Sequence, residues 1–345
     1  MIYMSWFHTW SPRIFCVLSF IFNILFLVLL KFKSPRYIGG YRYLLMTFGV
    51  FNLITSVTEA VVSTAIEGFN NCLIIFVPHG LLFEYPLLAQ NLISIRCGMC
   101  AYTFALLAVH FLYRYLAVCR PLAIAHFFRP KTIFLNSLFV MCFGSSWMLI
   151  GHITMWPDDH IYDLIDEKFI QFHNTSSRDL AMIVANYEYP VYDWSKSGIL
   201  GMLIATLITT SIMISYVFFA QKIHLSLKAC TFSGAVKRLH SSLLKSLIAQ
   251  TIIPLISTII PCFVIWFLPL GGDNYGVMLS TYFMPLLSVY PAIDPVVITC
   301  SLSDYRNSAL KTLGFQREEI STSKQPYSNI FTVIPSLNNN YITPN

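Results

Sequence analysis

The sequence predicts an all-α membrane protein: a bundle of seven transmembrane helices with the N-terminus outside and a short amphipathic helix after the last span. Hydrophobic residues make up 56% of the 345 residues and charged residues 11%, whereas a soluble domain carries about 25% charged residues. Seven apolar runs are long enough to cross a hydrocarbon core of about 30 Å as helices. These runs cover residues 14–30, 43–65, 97–118, 133–153, 199–219, 244–268 and 277–302.

The apolar stretch 72–95, between the second and third runs, is rejected as a further span. A helix there would be interrupted by Pro78 and Pro86 and would hold the carboxylate of Glu84 near its centre. Proline removes a helical hydrogen bond, and a carboxylate inside a membrane is costly. We therefore expect seven spans and not eight.

Basic residues fix the predicted orientation, because cytoplasmic loops carry an excess of lysine and arginine. With the N-terminus outside, the three inner loops and the segment after the last span hold four, four, five and four of the 22 basic residues. The other five lie outside. An eighth span at 72–95 would move the second inner loop outside and destroy this asymmetry.

The outer loops contain two candidate modification sites. Loop 154–196 is polar and acidic and holds a glycosylation sequon at Asn174; an unused tripeptide is the alternative. Because this loop has no cysteine, an outer disulfide could join only Cys72 to Cys97 or Cys100, and free buried thiols are the alternative. The cysteines show no metal-ligand spacing, so the sequence predicts neither a metal nor another cofactor.

Residues 1–315 are predicted to form the seven-helix domain. Its last part, about 303–315, is predicted to be a short amphipathic helix along the inner membrane surface. Residues 316–345 are rich in Ser, Asn, Thr and Pro, which predicts a disordered cytoplasmic tail.

The third span ends on its inner side with Tyr113-Arg114-Tyr115. An arginine inside a span is costly unless it faces protein or water. Arg114 is therefore a candidate switch residue that anchors an inactive state and, once released, reaches a cytoplasmic partner. An ordinary basic residue at the inner end of a helix is the alternative.

The last span contains a carboxylate followed by a proline, Asp294-Pro295. The proline kinks the helix, and the carboxylate needs a partner or solvent. Counted from the inner edges of their helices at about 1.5 Å per residue, Asp294, Asn52 and Asn23 lie at similar depth. We expect one buried polar network, open to a water or a cation; three unrelated polar residues are the alternative.

The sixth span contains two prolines, Pro254 and Pro261, seven residues apart and therefore on one side of the helix. Prolines kink helices at identifiable points. A doubly kinked helix beside the basic third inner loop is expected to be a moving part of the bundle.

Five segments along the chain resemble one protein family in their amino-acid sequences and in their order. They are GYRYLLM at 40–46, AVHFLYRYLAV at 108–118, QTIIPL at 250–255, YPAIDP at 290–295 and DYR at 304–306. Together they resemble the Str-type nematode serpentine chemoreceptors, a family of G-protein-coupled odorant receptors, over about residues 10–315.

The resemblance implies a receptor in the plasma membrane of sensory cilia that binds a small odorant and activates a heterotrimeric G protein at its cytoplasmic face. It gives Arg114 the role of the inner-end arginine of the third helix. It gives Asp294-Pro295 the role of the seventh-helix Asn/Asp-Pro motif of the wider receptor class. Tyr113 stands where an acidic residue is usual, so the usual ionic clamp beside the arginine is missing. Membrane lipid is the other expected partner, and nucleic acid is not.

Other functions fit less well. A ligand-gated cation channel of seven spans is the main alternative, but such channels have the N-terminus inside. A secondary transporter would show inverted repeats or paired broken helices. Run 277–302 has no lysine for a retinal Schiff base, and the histidines lack the spacing of a membrane hydrolase. We therefore expect a receptor and not an enzyme.

The ligand is expected to be small, uncharged and fairly hydrophobic, because the outer halves of the spans are mostly apolar or aromatic. Its binding is expected to shift the sixth and seventh helices. Glu59 in the second span and Tyr102 in the third are candidates for the pocket wall. For Glu59, a position at the outer membrane boundary is the alternative.

Overall fold

The structure, a computed structural model, describes residues 2, 4–34, 38–188, 197–229, 234–267, 276–312 and 314, without the side chains of 235, 276–281, 283 and 284. Most of this part is helical. The longer helices are α1 (Trp6–Phe32), α2 (Tyr41–Val61), α3 (Pro86–Cys119), α4 (Pro130–Thr154), α5 (Asp159–His173), α6 (Gly198–Ala229), α7 (Gly234–Pro254, a π-helical turn Leu255–Ile259, and Ile260–Phe267), α8 (Gly276–Ser301) and α9 (Ser303–Thr312). A short helix, Pro121–Ile124, follows α3, and a 3-10 turn, Ser177–Asp179, follows α5.

Each of the seven predicted runs corresponds to one long helix, namely α1–α4 and α6–α8 in order. Six helices of the described residues are long and apolar enough to cross a membrane, and a bent pair, Pro285–Ser301 with Ser303–Thr312 at 107°, can count as the seventh. Helix α8 has 26 residues, or about 39 Å at 1.5 Å per residue. The predicted seven-transmembrane bundle is confirmed.

The rejected stretch 72–95 contains no separate span. It begins with strand β2 (Cys72–Phe76), and Pro86 is the first residue of α3, a position where proline costs a helix nothing. Helix α3 therefore starts well before the predicted residue 97. Its polar outer turns are covered by protein, since Gln90 Nε2 donates to the carbonyl of Met182 at 2.8 Å.

The outer loops form a three-stranded antiparallel sheet, which the expectation of an all-α protein missed. The strands are β1 (Ala65–Phe69), β2 and β3 (Met182–Asn186), in the order β1-β2-β3. Asn70 and Asn71 connect β1 to β2 with φ of 50° and 51°, values that suit a tight two-residue hairpin turn.

The sheet is buried on both faces. Side chains alternate along a strand, so Ile75 packs towards the bundle while Ile74 packs towards α5. Helix α5 contributes Ile161, Ile165 and Phe169, spaced four residues apart on one face. The sheet and α5 together, here named the outer cap, replace the irregular polar loop predicted for 154–196.

The outer disulfide considered above is not formed, because Cys72, Cys97 and Cys100 are all free thiols. The two faces of the sheet explain this. Cys72 packs in the cluster that faces α5, whereas Cys97 lies in the bundle on the opposite side. Burial, with the nearby carboxylate of Glu188, raises the pKa of the Cys72 thiol to about 12, so this thiol stays protonated and unreactive.

The inner end of the bundle is closed by α9. Tyr305 is fully buried against α1 and α2, and its hydroxyl lies 2.6 Å from Ser34 Oγ. The predicted surface helix 303–315 is thus present as Ser303–Thr312. Residues 313 and 315, and the predicted tail 316–345, lie outside the described residues.

Candidate functional site

A cavity of about 70 Å³ lies in the bundle directly beneath the outer cap. It is smaller than the ~150 Å³ apolar cavity that can hold a benzene molecule. Its wall is mostly aliphatic and aromatic and comes from the sheet and from helices α2, α3, α4, α6, α7 and α8. The wall consists of Glu59, Ile66, Ile75, Ile93, Arg96, Cys97, Cys100, Phe104, Trp147, Thr209, Thr258, Ile259, Cys262, Phe263, Ile265, Trp266 and Leu287.

Glu59 and Arg96 form a buried ion pair at this wall. Arg96 Nη2 donates to Glu59 Oε2 and Nη1 donates to Thr64 Oγ1. Ser288 Oγ of α8 donates to the same Glu59 oxygen at 3.1 Å. The cluster therefore ties α2, α3 and α8 together. Among the described residues of the wall, these two are the charged ones, and they neutralise each other.

Tyr102, the other pocket candidate, does not line this cavity. Its hydroxyl lies 3.1 Å from Ser145 Oγ on α4, and its ring sits against Gly144, where a Cβ would lie 2.2 Å from a ring carbon. Cavity residues Cys100 and Phe104 are four positions apart on α3 and share a face, whereas position 102 points away from that face. Tyr102 contributes to the packing of α3 against α4.

Three polar residues meet in the middle of the bundle. Asn23, Asn52 and Asp294 are each 0% exposed. Asn52 Nδ2 lies 3.1 Å from Asp294 Oδ2 and 3.5 Å from Asn23 Oδ1. The structure thus brings together, from α1, α2 and α8, the residues that the depth argument grouped.

Pro295 determines how α1 binds α8. Because proline has no N–H, the carbonyl of Pro291 one turn earlier loses its helical donor. Asn23 Nδ2 and Ser19 Oγ donate to this carbonyl at 2.9 and 3.2 Å. The proline-containing part of α8 is therefore held by side chains of α1, next to the Asp294 contact.

Arg114 lies inside the bundle and is 5% exposed. Its guanidinium carbon stands 3.6 Å from the ring centroid of Tyr41 on α2 and 5.8 Å from that of Tyr113. Cation–π contacts of this kind stabilise a desolvated cation by about 2 kcal/mol. Nε and Nη2 have no hydrogen-bond partner among the described residues. The structure shows Arg114 turned inward and held on an aromatic ring.

The comparison with known proteins identifies the family. A profile described as "Serpentine type 7TM GPCR chemoreceptor Srj" matches residues 2–309. The chain belongs to this family. It is a multi-pass membrane receptor of the G-protein-coupled class, and the family is a receptor family, not an enzyme family. A channel or transporter is not favoured.

Relatives of this receptor include members of several serpentine classes of Caenorhabditis elegans. "Serpentine receptor class J-38" is 28% identical over 92% of this chain and 98% of its own length. "G-protein coupled receptor str-33" is 25% identical over 82% and 84%, and "Serpentine receptor class r-10" is 23% identical over 89% and 91%. The Str resemblance is thus right for the wider group and only approximate for the class.

Helix α7 of this receptor is irregular between Pro254 and Pro261, the two prolines at which kinks were predicted. The π-helical turn Leu255–Ile259 separates Pro254 from Pro261. Proline clashes with the carbonyl four residues earlier, and a π turn relieves this strain by widening the helix. Thr258 and Ile259 of this turn line the cavity.

The sequence analysis did not predict the contacts that Arg96 and Tyr41 make in this receptor. Arg96 was counted among the five basic residues on the outer side, although Glu59 in the second span is a possible ion-pair partner for it. Tyr41, and not Tyr115, is the second ring near Arg114, since Tyr115 packs on Phe219 of α6 with ring centroids 5.4 Å apart. The signal for Tyr41 was its place in the segment 40–46 that carries the resemblance.

Proposed function

We propose that this receptor detects a small uncharged odorant in the cavity beneath the outer cap, and that binding shifts α7 and α8 to activate a heterotrimeric G protein. The observation that carries the proposal is the composition of the wall. Thr258 and Ile259 belong to the irregular turn of α7, and Leu287 lies two residues after Pro285 in α8. A ligand there touches both helices at their most deformable points.

The charge of the wall supports an uncharged ligand. Glu59 and Arg96 are bonded to each other, and their side chains are 6% and 9% exposed. A charged ligand would have to leave water for this apolar cavity without a free counter-charge, which is strongly unfavourable. A neutral apolar ligand gains free energy from the same burial.

The path to the cytoplasmic side runs along α8. Leu287 at the cavity and Asp294 in the polar network are seven residues apart, or about 10 Å along the helix. A shift of α8 at Leu287 therefore acts directly on the contacts of Asp294 and Pro291 with α1 and α2. Arg114, held on Tyr41 of the same helix α2, is the next group inward and the proposed point of contact with the G protein.

The cavity test uses two cysteines of the chain. Cys100 is a wall residue, whereas Cys142 is exposed on α4 and does not line the cavity. We expect Cys100→Phe to fill the cavity and lower agonist potency at least about tenfold, or about 1.4 kcal/mol, in cells that report G-protein activation. Cys142→Phe is the matched control and should signal normally.

Agonists for this assay come from a screen of volatile neutral compounds on the unmodified receptor. Surface expression of both variants is measured in the same cells, because overfilled cores lose stability. Full agonist potency in a well-expressed Cys100→Phe receptor would place the ligand elsewhere.

We propose that the receptor lies in the plasma membrane of sensory cilia with the cap outside. Asn174 is exposed at the C-terminal cap of α5 with φ of 52°, which supports its proposed glycosylation. We expect Asn174→Gln to abolish a mass shift that a glycosidase also removes.

A tag in segment 154–196 should label on intact cells and a tag after residue 315 should not; the reverse labelling would contradict the orientation.

A further inference from the structure

Trp147 of α4 is a wall residue whose side chain carries a hydrogen-bond donor with no partner among the described residues. The residue lines the wall, and its ring packs against Trp266 with centroids 5.4 Å apart. Its Nε1–H is buried and has no hydrogen-bond partner among the described residues. The indole nitrogen can only donate, and a buried tryptophan usually finds an acceptor. A ligand with an acceptor atom can supply the missing hydrogen-bond partner.

Three other polar residues of the described wall, Thr209, Thr258 and Arg96, have hydrogen-bond partners inside the protein. Thr209 Oγ1 donates to the carbonyl of Ala205 at 2.8 Å, and Thr258 Oγ1 lies 3.4 Å from Ser257 Oγ. Arg96 is bonded to Glu59 and Thr64. Trp147 Nε1 is a buried donor at this wall whose acceptor a molecule inside the cavity can supply.

We propose that the odorant is a short apolar molecule with one acceptor oxygen, and that this oxygen accepts the hydrogen bond of Trp147 Nε1. The proposal rests on the proposed function of the cavity and adds the chemical class of its ligand. The hydrocarbon part lies against Phe104 and Phe263, which also line the wall. The volume of about 70 Å³ limits the molecule to one smaller than benzene.

The experiment compares ligands that differ only in the acceptor. Methyl ketones of three and four carbons are paired with the 2-methyl-1-alkenes of the same shape, in which CH₂ replaces the carbonyl oxygen. Each compound is added to the purified receptor in lipid nanodiscs, and the midpoint of thermal unfolding gives its affinity, since a ligand stabilises the state that it binds. We expect short ketones to bind and to bind more tightly than their alkene partners.

Two variants assign the effect to the indole N–H. Trp147→Phe keeps an aromatic ring and removes the donor, and we expect it to weaken ketone binding about tenfold and to leave alkene binding unchanged. Trp156→Phe is the matched control, because the Trp156 ring packs at a tilt against His152, with ring centroids 4.6 Å apart, and does not line the cavity. It should leave both affinities unchanged. Unchanged alkene binding also shows that the Trp147→Phe receptor is folded.

Equal affinity for ketones and alkenes, the absence of ketone binding, or full ketone affinity in the Trp147→Phe receptor would each overturn the proposal. None of these results contradicts the proposed function, which is tested separately by signalling of the Cys100→Phe receptor. Conversely, ketones that bind through Trp147 but never activate a G protein would leave the acceptor site intact and count against the signalling role.

Discussion

Arg114→Ala is expected to abolish most agonist-driven G-protein activation while the receptor still reaches the cell surface. The guanidinium is buried at the inner end of α3 and is held by a cation–π contact 3.6 Å from the Tyr41 ring. In the proposed active state this group leaves the ring and binds the G protein. We expect a loss of at least about tenfold in activation, equivalent to about 1.4 kcal/mol of coupling, in a nucleotide-exchange assay.

Tyr41 provides the matched pair of control variants. Tyr41→Phe keeps the ring beneath Arg114 and loses the hydroxyl group, which lies 3.3 Å from His110 Nδ1. It should behave almost like the parent. Tyr41→Leu removes the ring, releases Arg114 and should raise basal activity. Normal signalling by Arg114→Ala would show that the residue only sets the orientation of the chain.

Asp294→Ala is expected to raise basal signalling about tenfold with little effect on surface expression. The carboxylate accepts from Asn52 Nδ2 at 3.1 Å, and α1 holds the freed carbonyl of Pro291 beside it. Loss of one partner in a buried hydrogen bond costs about 1–3 kcal/mol. If these bonds hold the resting bend of α8, that cost falls on the inactive state. Basal cyclic-nucleotide or calcium signals measure the shift.

Asp294→Asn is the conservative control, since its amide oxygen can still accept from Asn52. We expect a smaller rise in basal activity than for Asp294→Ala. Equal basal and agonist-driven signalling in the parent and in Asp294→Ala, at equal surface levels, would mean that the network only stabilises the fold.

The seven spans were predictable because each one is a long apolar run, and the charge asymmetry is summed over the whole chain. Depth along a helix was also predictable, since it advances by a constant rise per residue. That is why Asn23, Asn52 and Asp294 could be grouped from sequence. Their mutual distances depend only weakly on the exact ends of the helices.

The outer cap could not be predicted in the same way. Its strands have five residues each, and β2 pairs with β3 across more than a hundred residues of chain. Nothing local distinguishes such buried strands from short apolar loops. The direction of a side chain is equally hard to predict, because one residue turns the helix by about 100°. For this reason the sequence did not predict that Tyr102 packs against α4 or that Tyr115 packs on Phe219.

The most direct test of the account is the distance between the inner ends of α4 and α7, measured by pulsed electron resonance between spin labels at Lys131 and Lys237. Saturating agonist should lengthen this distance in the receptor that is otherwise unmodified. The same agonist should leave it unchanged when Cys100→Phe fills the cavity. Agonist-driven G-protein activation with no change in the distance would contradict the claim that a ligand beneath the cap works by moving α7.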